Sequence, residues 1–248
     1  MKIVTCIKRV PDTEARLKIA AGRDIDAAGL KFIISPYDEF AVEAALQLRE
    51  AKGGGEVIVV SVGEAAAAEQ LRAALALGAD RAVLLEAPPT LDGLVTARAL
   101  AAELKDANAD LYLFGMKAAD DDQQQVGPMV AELLGLPCVT VVAELELGDG
   151  KILCHREVEG GIEVVEAPLP AVVTITKGKY EPRYPSLKGI MAAKKKPLEE
   201  KEAAAGPSRV RLLDLSHPPE RPPGKVVGQG ADAVPELLRL LREEAKAL

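Results

Sequence analysis

General acid–base chemistry has little to draw on in this sequence. The 248 residues include only two histidines, His155 and His217. One falls in a strand-like run and the other beside a Pro-rich stretch, and both read as surface residues. Cysteine is equally sparse. Cys6, Cys138 and Cys154 are odd in number and show no CxxC spacing. They provide neither a disulfide framework nor a zinc site and suit a reducing compartment. No metal site is expected. No GxGxxG follows the first strand, and no GxxxxGK followed by Ser or Thr occurs, so the two strongest phosphate-binding fingerprints are missing. Basic residues are not in excess: the formal net charge of −7 argues against a nucleic-acid partner. No apolar run reaches the roughly 18–20 residues needed to span a bilayer. The opening MKIVTCIKRV reads as a buried strand, with no signal h-region and no Arg/Ser-rich transit segment. The expectation is a cytoplasmic protein, or one already processed.

What is present is an alternation of strand and helix. Lys2–Val10 is apolar and β-branched. After a long excursion, 11–34, the run Asp38–Lys52 puts Phe40, Ala41, Ala44, Ala45 and Leu48 on one helical face. EVIVVSV at 56–62 is a continuous apolar strand, as expected where both sheet faces are covered. Ala65–Leu77 is an Ala-rich helix ended by Gly78, a good residue beyond a helix C-terminus. A strand at 81–85, a helix at 91–105, a strand LYLFG at 111–115 and a helix at 123–134 follow. Repeated βα units imply a parallel sheet with right-handed crossovers. The runs 139–147, 151–158, 162–166 and 171–176, broken by Gly-Asp-Gly and Glu-Gly-Gly, read as antiparallel hairpins extending that sheet. Residues 198–208 are polar and read as a linker. A Pro-rich stretch, 218–223, precedes an amphipathic segment, 231–248, with Val234, Leu237, Leu238 and Leu241 on one face.

Ligands of open α/β sheets bind beyond the carboxyl ends of the strands. Here those ends carry Cys6, the Ser35-Pro36-Tyr37-Asp38 segment before a helix, Val62, and Gly115 with the following MKAADDDQQQVG. Small and polar residues at several ends would form a nucleotide crevice. Helix N-terminal N–H groups can hold phosphate there. The run Asp120-Asp121-Asp122-Gln123-Gln124-Gln125 stands out. It can cap a helix, or adjoin a phosphate if its charges point away or are bridged by a cation. Mg²⁺ is the less supported choice for that cation. Leu187, Ile190 and Met191, followed by Lys194-Lys195-Lys196, lie in a segment with little room for a private core. Apolar anchors flanked by basic residues suit docking to acidic partners, although a lysine run can also be a solvated helix face.

IKRVPDTEARLKI, SPYDEFAVEAALQLRE, ALALGADRAVLLE, DLYLFGMKAADDDQQQVGPMVAELLG, REVEGGIEVV with LPAVVT, and EPRYPSLKGIMAAKKKP occur in that order. Together they resemble the beta (small) subunits of electron transfer flavoproteins over essentially the whole chain. The resemblance implies an α/β fold, an open, mostly parallel sheet with helices on both faces. It would be adenine-nucleotide-binding and Rossmann-like, extended by antiparallel hairpins, with a C-terminal arm. It implies a nucleotide domain at 1–180, a partner recognition loop at 181–197, and a linker with a terminal helix at 198–248. The chain would be an electron-carrier subunit without its own catalytic centre. It would pair with an alpha subunit that holds most of a redox-active FAD, and would bind a structural AMP. By family position the AMP pocket takes in Cys6, Ser35, Pro36, Tyr37, Asp38, Val62, Gly115, Asp120, Asp121, Asp122, Gln123, Gln124, Gln125 and Val126. Tyr37 and Thr13 fall near the alpha-bound flavin; some relatives place a Tyr where Thr13 stands. Arg183, Tyr184, Leu187, Ile190 and Met191 fall in the docking loop, with Leu187 at its anchor position. The implied partners are acyl-CoA dehydrogenases or other flavoprotein dehydrogenases as donors. A membrane-associated quinone oxidoreductase would be the acceptor.

Two other functions stay open at the level of sequence. In the electron-bifurcating type a second FAD takes the AMP place and reacts with NADH. Asp121 occupies a position often held by Gly in that subgroup, which favours AMP. A stand-alone adenine-nucleotide hydrolase or ligase on a related fold is the alternative from another class; the missing P-loop and scarce histidine count against it.

Overall fold

The structure is a computed structural model that describes residues 1–20, 24–89, 92–220 and 223–248. The expected helix start at Leu91 and part of the Pro-rich stretch lie outside the described residues. Two compact units are present, Met1–Asp214 and Leu215–Leu248. No described helix is long and apolar enough to cross a membrane.

The first unit is built on β1 (Lys2–Cys6), β2 (Arg9–Pro11), β3 (Ile19–Ala20), β4 (Asp24–Ile25), β5 (Phe32–Ile34), β6 (Glu56–Gly63), β7 (Arg81–Glu86), β8 (Leu111–Gly115), β9 (Cys138–Leu147), β10 (Lys151–Val158), β11 (Gly161–Pro168), β12 (Ala171–Ile175) and β13 (Leu198–Glu202). Its helices are α1 (Pro36–Ala51), α2 (Ala68–Leu77), α3 (Gly93–Leu104), α4 (Val126–Leu134) and α5 (Leu187–Ala193). Among the described residues nine strands form one sheet in the order β11-β10-β9-β12-β8-β1-β6-β7-β13. Residues of α1 and α2 share a core with one face of the sheet, and residues of α3 and α4 share a core with the other. This is the expected mostly parallel α/β fold with an antiparallel extension. β1 and β6 show the principle: Ile3, Val57 and Val59 face the first core while Val4, Ile58 and Val60 face the second. Alternate side chains of one strand point to opposite faces, so a strand buried on both must be apolar throughout.

Four readings of the sequence are corrected. The run 171–176 is not part of an antiparallel hairpin. It forms β12, parallel between β8 and β9. Its five residues are all buried, the signature of a central strand rather than an edge. Antiparallel pairing in the large sheet is confined to β10 with β9 and β11. The polar run 198–208, read as a linker, contains β13, which pairs parallel with β7. Its charged sequence LEEKE suits an edge, where one side faces water and repels further strands. Leu198 still packs on the first core, and Lys201 pairs with Glu103 at 2.8 Å. The single strand expected at 2–10 is split. After Cys6 the chain leaves the ladder, and β2 pairs antiparallel with β5 as part of the 11–34 excursion. Finally, α4 starts at Val126 rather than Gln123, because Asp122 and Gln124 adopt φ of 52° and 56°, values that no helical turn accommodates.

In the second unit, a short 3-10 turn at Ala231–Ala233 leads into α6 (Val234–Glu243). Val234, Leu237 and Leu238 are exposed on it. Arg239 pairs with Glu236 and Glu243, both at 2.8 Å, which supports the short helix from within.

Candidate nucleotide site and docking surface

The carboxyl ends of β1 and β8 meet the start of α1. Asp38, in the first turn of α1, accepts the backbone N–H of Lys8 at 2.7 Å and that of Gly115 at 3.0 Å. Both donors lie where their strands stop, so the side chain satisfies groups that the ladders leave over. Asp38 is buried, and burial pushes its carboxyl up to about 7 against the pull of these two bonds and of Lys8. Gly115 permits the contact. A Cβ there would stand 2.3 Å from Asp38 Oδ1 and 2.7 Å from the Asp38 nitrogen. Cys6 is buried beneath, and burial followed by the Asp38 charge holds its thiol well above the ordinary range, which leaves an inert thiol.

The Asp-rich run folds back over this junction as a turn. Lys8 Nζ reaches Asp120 and Asp121, each at 2.8 Å. Burial alone would lower the Lys8 pKa, and the two aspartates raise it above its ordinary value. Lys117 Nζ pairs with Asp122 at 2.9 Å and stands 5.7 Å from the centre of the Tyr37 ring. The Ser35 hydroxyl does not cap α1. It accepts the N–H of Ala119 at 3.3 Å instead, tying the start of α1 to the turn. All three carboxylates are thus bridged by lysine ammonium groups of the same chain. Among the described residues no group of three or more His, Cys, Asp or Glu is arranged to hold a metal ion. The Asp residues do not cap α4 either. Its N-cap is Gln125, which makes no side-chain cap bond. Pro128 brings no N–H to the first turn, so the N–H groups of Val126 and Gly127 open the helix without a side-chain cap. Gln125 Nε2 donates to Gln123 and lies against Gly93 at the start of α3.

The segment 181–197 is a short helix held at both ends. Before it, the Arg183 guanidinium donates to Glu43 through Nε at 2.8 Å and Nη2 at 2.9 Å. It donates to Glu50 through Nη1 at 2.7 Å and Nη2 at 3.1 Å. Glu43 is nearly fully buried. Burial would raise its carboxyl, but Arg183 and the Gln47 amide pull it below the usual carboxylate range. Ser186 caps α5 by accepting the N–H of Gly189 at 3.0 Å. Past the helix, Arg72 Nη1 of α2 donates to the carbonyls of Ala193 and Lys196, both at 2.7 Å. Lys196 Nζ in turn donates to the carbonyls of Leu75 at 3.0 Å and Ala79 at 2.5 Å. A cation there satisfies carbonyls at and just beyond the end of α2. Lys196 is therefore not on a solvated helix face, whereas Lys194 and Lys195 are exposed. Tyr184 is 95% exposed and Leu187 78%, with Ile190 and Met191 also exposed. The last three stand at i, i+3 and i+4, one face of α5.

Two groups stand out among the residues selected at the strand ends. Ser35, Asp38, Gly115, Asp120 and Asp121 are linked through the bonds above. Cys6, Val62 and Val126 line the core between the sheet and α3–α4. Thr13 is exposed in the turn after β2. Its neighbour Asp12 pairs with Lys31 at 3.0 Å. Lys8 and Lys117 were missed, because a lysine near a strand end reads as a solvated residue. The Glu43–Glu50 pair was also missed. Its i, i+7 spacing on one face of α1 was visible, but its partner lies 140 residues away.

A family model described as the electron transfer flavoprotein domain matches residues 24–206. The chain is 46% identical over 224 residues to the electron transfer flavoprotein subunit beta of Syntrophomonas wolfei subsp. wolfei, covering 90% of this chain and 88% of that one. It is 41% identical to the subunit beta of Bacillus subtilis over the full length of both chains. With the human subunit beta it shares 37% identity over 98% of each. The mostly parallel nine-stranded sheet and these full-length similarities agree: the chain belongs to the electron transfer flavoprotein family, as a beta subunit.

Proposed function

We propose that this chain is the AMP-binding and partner-docking half of a cytoplasmic heterodimeric electron carrier, whose FAD is held mainly by the alpha subunit. One observation carries the docking part. Four apolar side chains, Tyr184, Leu187, Ile190 and Met191, stand in water on a segment fixed at both ends. Exposed large side chains on a held segment favour an interface over a stray surface patch. Leu187 is the anchor, and Lys188, Lys194 and Lys195 beside it speed encounter with an acidic partner. Flavoprotein dehydrogenases, acyl-CoA dehydrogenases among them, deliver electrons here. A membrane-associated oxidoreductase passes them to the quinone pool. The flavin, when bound, supplies the electron-carrying chemistry; this chain contributes no catalytic group of its own.

The strand-end junction fits a nucleotide. Lys8, paired with Asp120 and Asp121, and Lys117, paired with Asp122, offset two of the three negative charges and so weaken their repulsion of a phosphate. The uncapped first turn of α4 offers N–H donors. Gly115 lets the backbone approach closely, and Tyr37 and Thr13 are assigned to the flavin side by their positions in the family. Asp121 fills space with a paired side chain where a glycine would leave room, which supports AMP over a second FAD.

Release and mass analysis of nucleotides from the purified heterodimer tests this. AMP with one FAD is expected. Two FAD per heterodimer would turn the assignment to the bifurcating type. ATP turnover by the isolated chain would turn it to a hydrolase or ligase. The isolated chain should show little flavin absorbance, and a stable yellow monomer would contradict the division of labour between the subunits. Leu187→Ala should raise KM for the dehydrogenase about tenfold with flavin content unchanged, the size expected for a buried interface anchor.

A further inference from the structure

Apolar side chains on a loop free to move would fold back on the protein or sample many arrangements, and a partner would have to order them. The segment here has given up that freedom already. Arg183 holds its start to α1 by four guanidinium bonds to Glu43 and Glu50. Arg72 and Lys196 hold its end to α2 by four bonds to backbone carbonyls. Between them α5 lies directly on the last turn of α2: a Cβ on Gly189 would stand 2.4 Å from the Ala76 carbonyl oxygen. Tyr180, just upstream, is fully buried and its hydroxyl accepts the Leu145 N–H at 2.9 Å. None of these groups is spent on the apolar face of Leu187, Ile190 and Met191.

We propose that Arg183 and Arg72 are positioning residues that pre-organise the 184–193 segment, so that its apolar face meets a partner dehydrogenase in one fixed arrangement. The inference rests on the docking reading above and deepens it. Arg183 accordingly acts through the segment it holds, since its guanidinium is already engaged by two carboxylates of its own chain. Arginine is required because its planar fork can serve two carboxylates at once, which a lysine point charge cannot. Binding to a segment already in its bound form avoids the ordering cost that a flexible loop would pay.

The test uses the full heterodimer with alpha, comparing wild type with Arg183→Gln, Arg183→Lys, Glu50→Gln and Leu187→Ala. Hydrogen exchange across residues 181–197 is read alongside KM and kcat for dehydrogenase-driven flavin reduction. Arg183→Gln should speed exchange in the segment and raise KM by about tenfold, with kcat and flavin content held, as expected when only the bound-state geometry is lost. Arg183→Lys should fall between the two. Glu50→Gln leaves the buried Glu43 pair in place and should shift both readouts in the same direction by less. It keeps the test intact if Arg183→Gln does not fold. Unchanged exchange in both Arg183→Gln and Glu50→Gln would overturn the proposal. So would faster exchange with unchanged KM in a protein where Leu187→Ala does raise KM. If Leu187→Ala leaves KM unchanged, the docking reading itself fails and the proposed role in docking falls with it, whatever the exchange shows.

Discussion

The Asp38 carboxylate accepts the backbone N–H of Gly115 at 3.0 Å, and Gly115 is the residue whose missing Cβ makes that approach possible. Through the same carboxylate the end of β1 is held as well, at Lys8. One side chain at the start of α1 thus ties the ends of β1 and β8 together.

Gly115→Ala should be poorly tolerated. Its Cβ would press on Asp38 Oδ1 and on the Asp38 backbone nitrogen, and the backbone cannot swing aside as a side-chain tip can. Overpacking of this kind costs about 1–3 kcal/mol. A lowered denaturation midpoint together with reduced AMP content of the heterodimer is the expected result. A variant with wild-type stability and nucleotide content would show that the junction is soft.

Asp38 makes stability depend on pH in a stated direction. Its carboxyl is pushed up to about 7 in the fold from an ordinary 3.8. The folded state therefore keeps a proton that the unfolded chain has lost. This contribution is fully present below about pH 4 and is lost as pH rises through about 7, a swing on the order of 4 kcal/mol. Asp38→Asn removes that slope, and its amide can accept only one of the two N–H bonds. Urea unfolding at pH 5 and pH 8 should show a smaller difference for Asp38→Asn than for wild type. Equal differences would place the titration elsewhere.

Lys8→Met should release the turn 116–125. Asp120 and Asp121 lose their shared ammonium group and become two unbalanced charges beside the proposed phosphate position. Nucleotide retention should fall by about tenfold or more, the scale expected when a charge-assisted hydrogen bond is broken and repulsion takes its place. Global stability should change little, because the pair is partly exposed. Retention equal to wild type would remove these carboxylates from the site.

Val141 sits at φ 58° in β9, where the register slips against β12, so it is the extra residue of a β-bulge. A β-branched residue is strained there. The Val141 N–H donates to Thr174 Oγ1 at 3.0 Å, and Arg156 donates to the Thr140 carbonyl at 2.6 Å, which holds the bulge in place. Val141→Asn, which tolerates positive φ, should stabilise the protein by about 0.5–1 kcal/mol. Loss of stability would mean that Val141 packing outweighs the strain.

Much of this protein was legible residue by residue. The continuous apolar run of β6, the helical face of α1 and the 187, 190, 191 spacing of α5 each report locally which side of an element is buried or exposed. The order of matched segments was specific enough for the family, and the strand-end residues followed from the general geometry of α/β sheets. The errors were of another kind. AVVTI looked like a hairpin strand because it follows two turns, yet it enters the middle of the sheet beside β8. LEEKE looked like a linker because it is charged, yet it is the edge beside β7.

The amino-acid sequence by itself determined the elements, the family and which residues stand at the strand ends. Tertiary structure alone decided which strands are neighbours and which charges meet. Lys8 finds Asp120 across 112 residues, and Arg183 finds Glu43 across 140. Periodicity is a local property of three or four residues. A pair that closes so long a loop depends on where the whole core sets its ends, and that is fixed only when the sheet is packed on both faces.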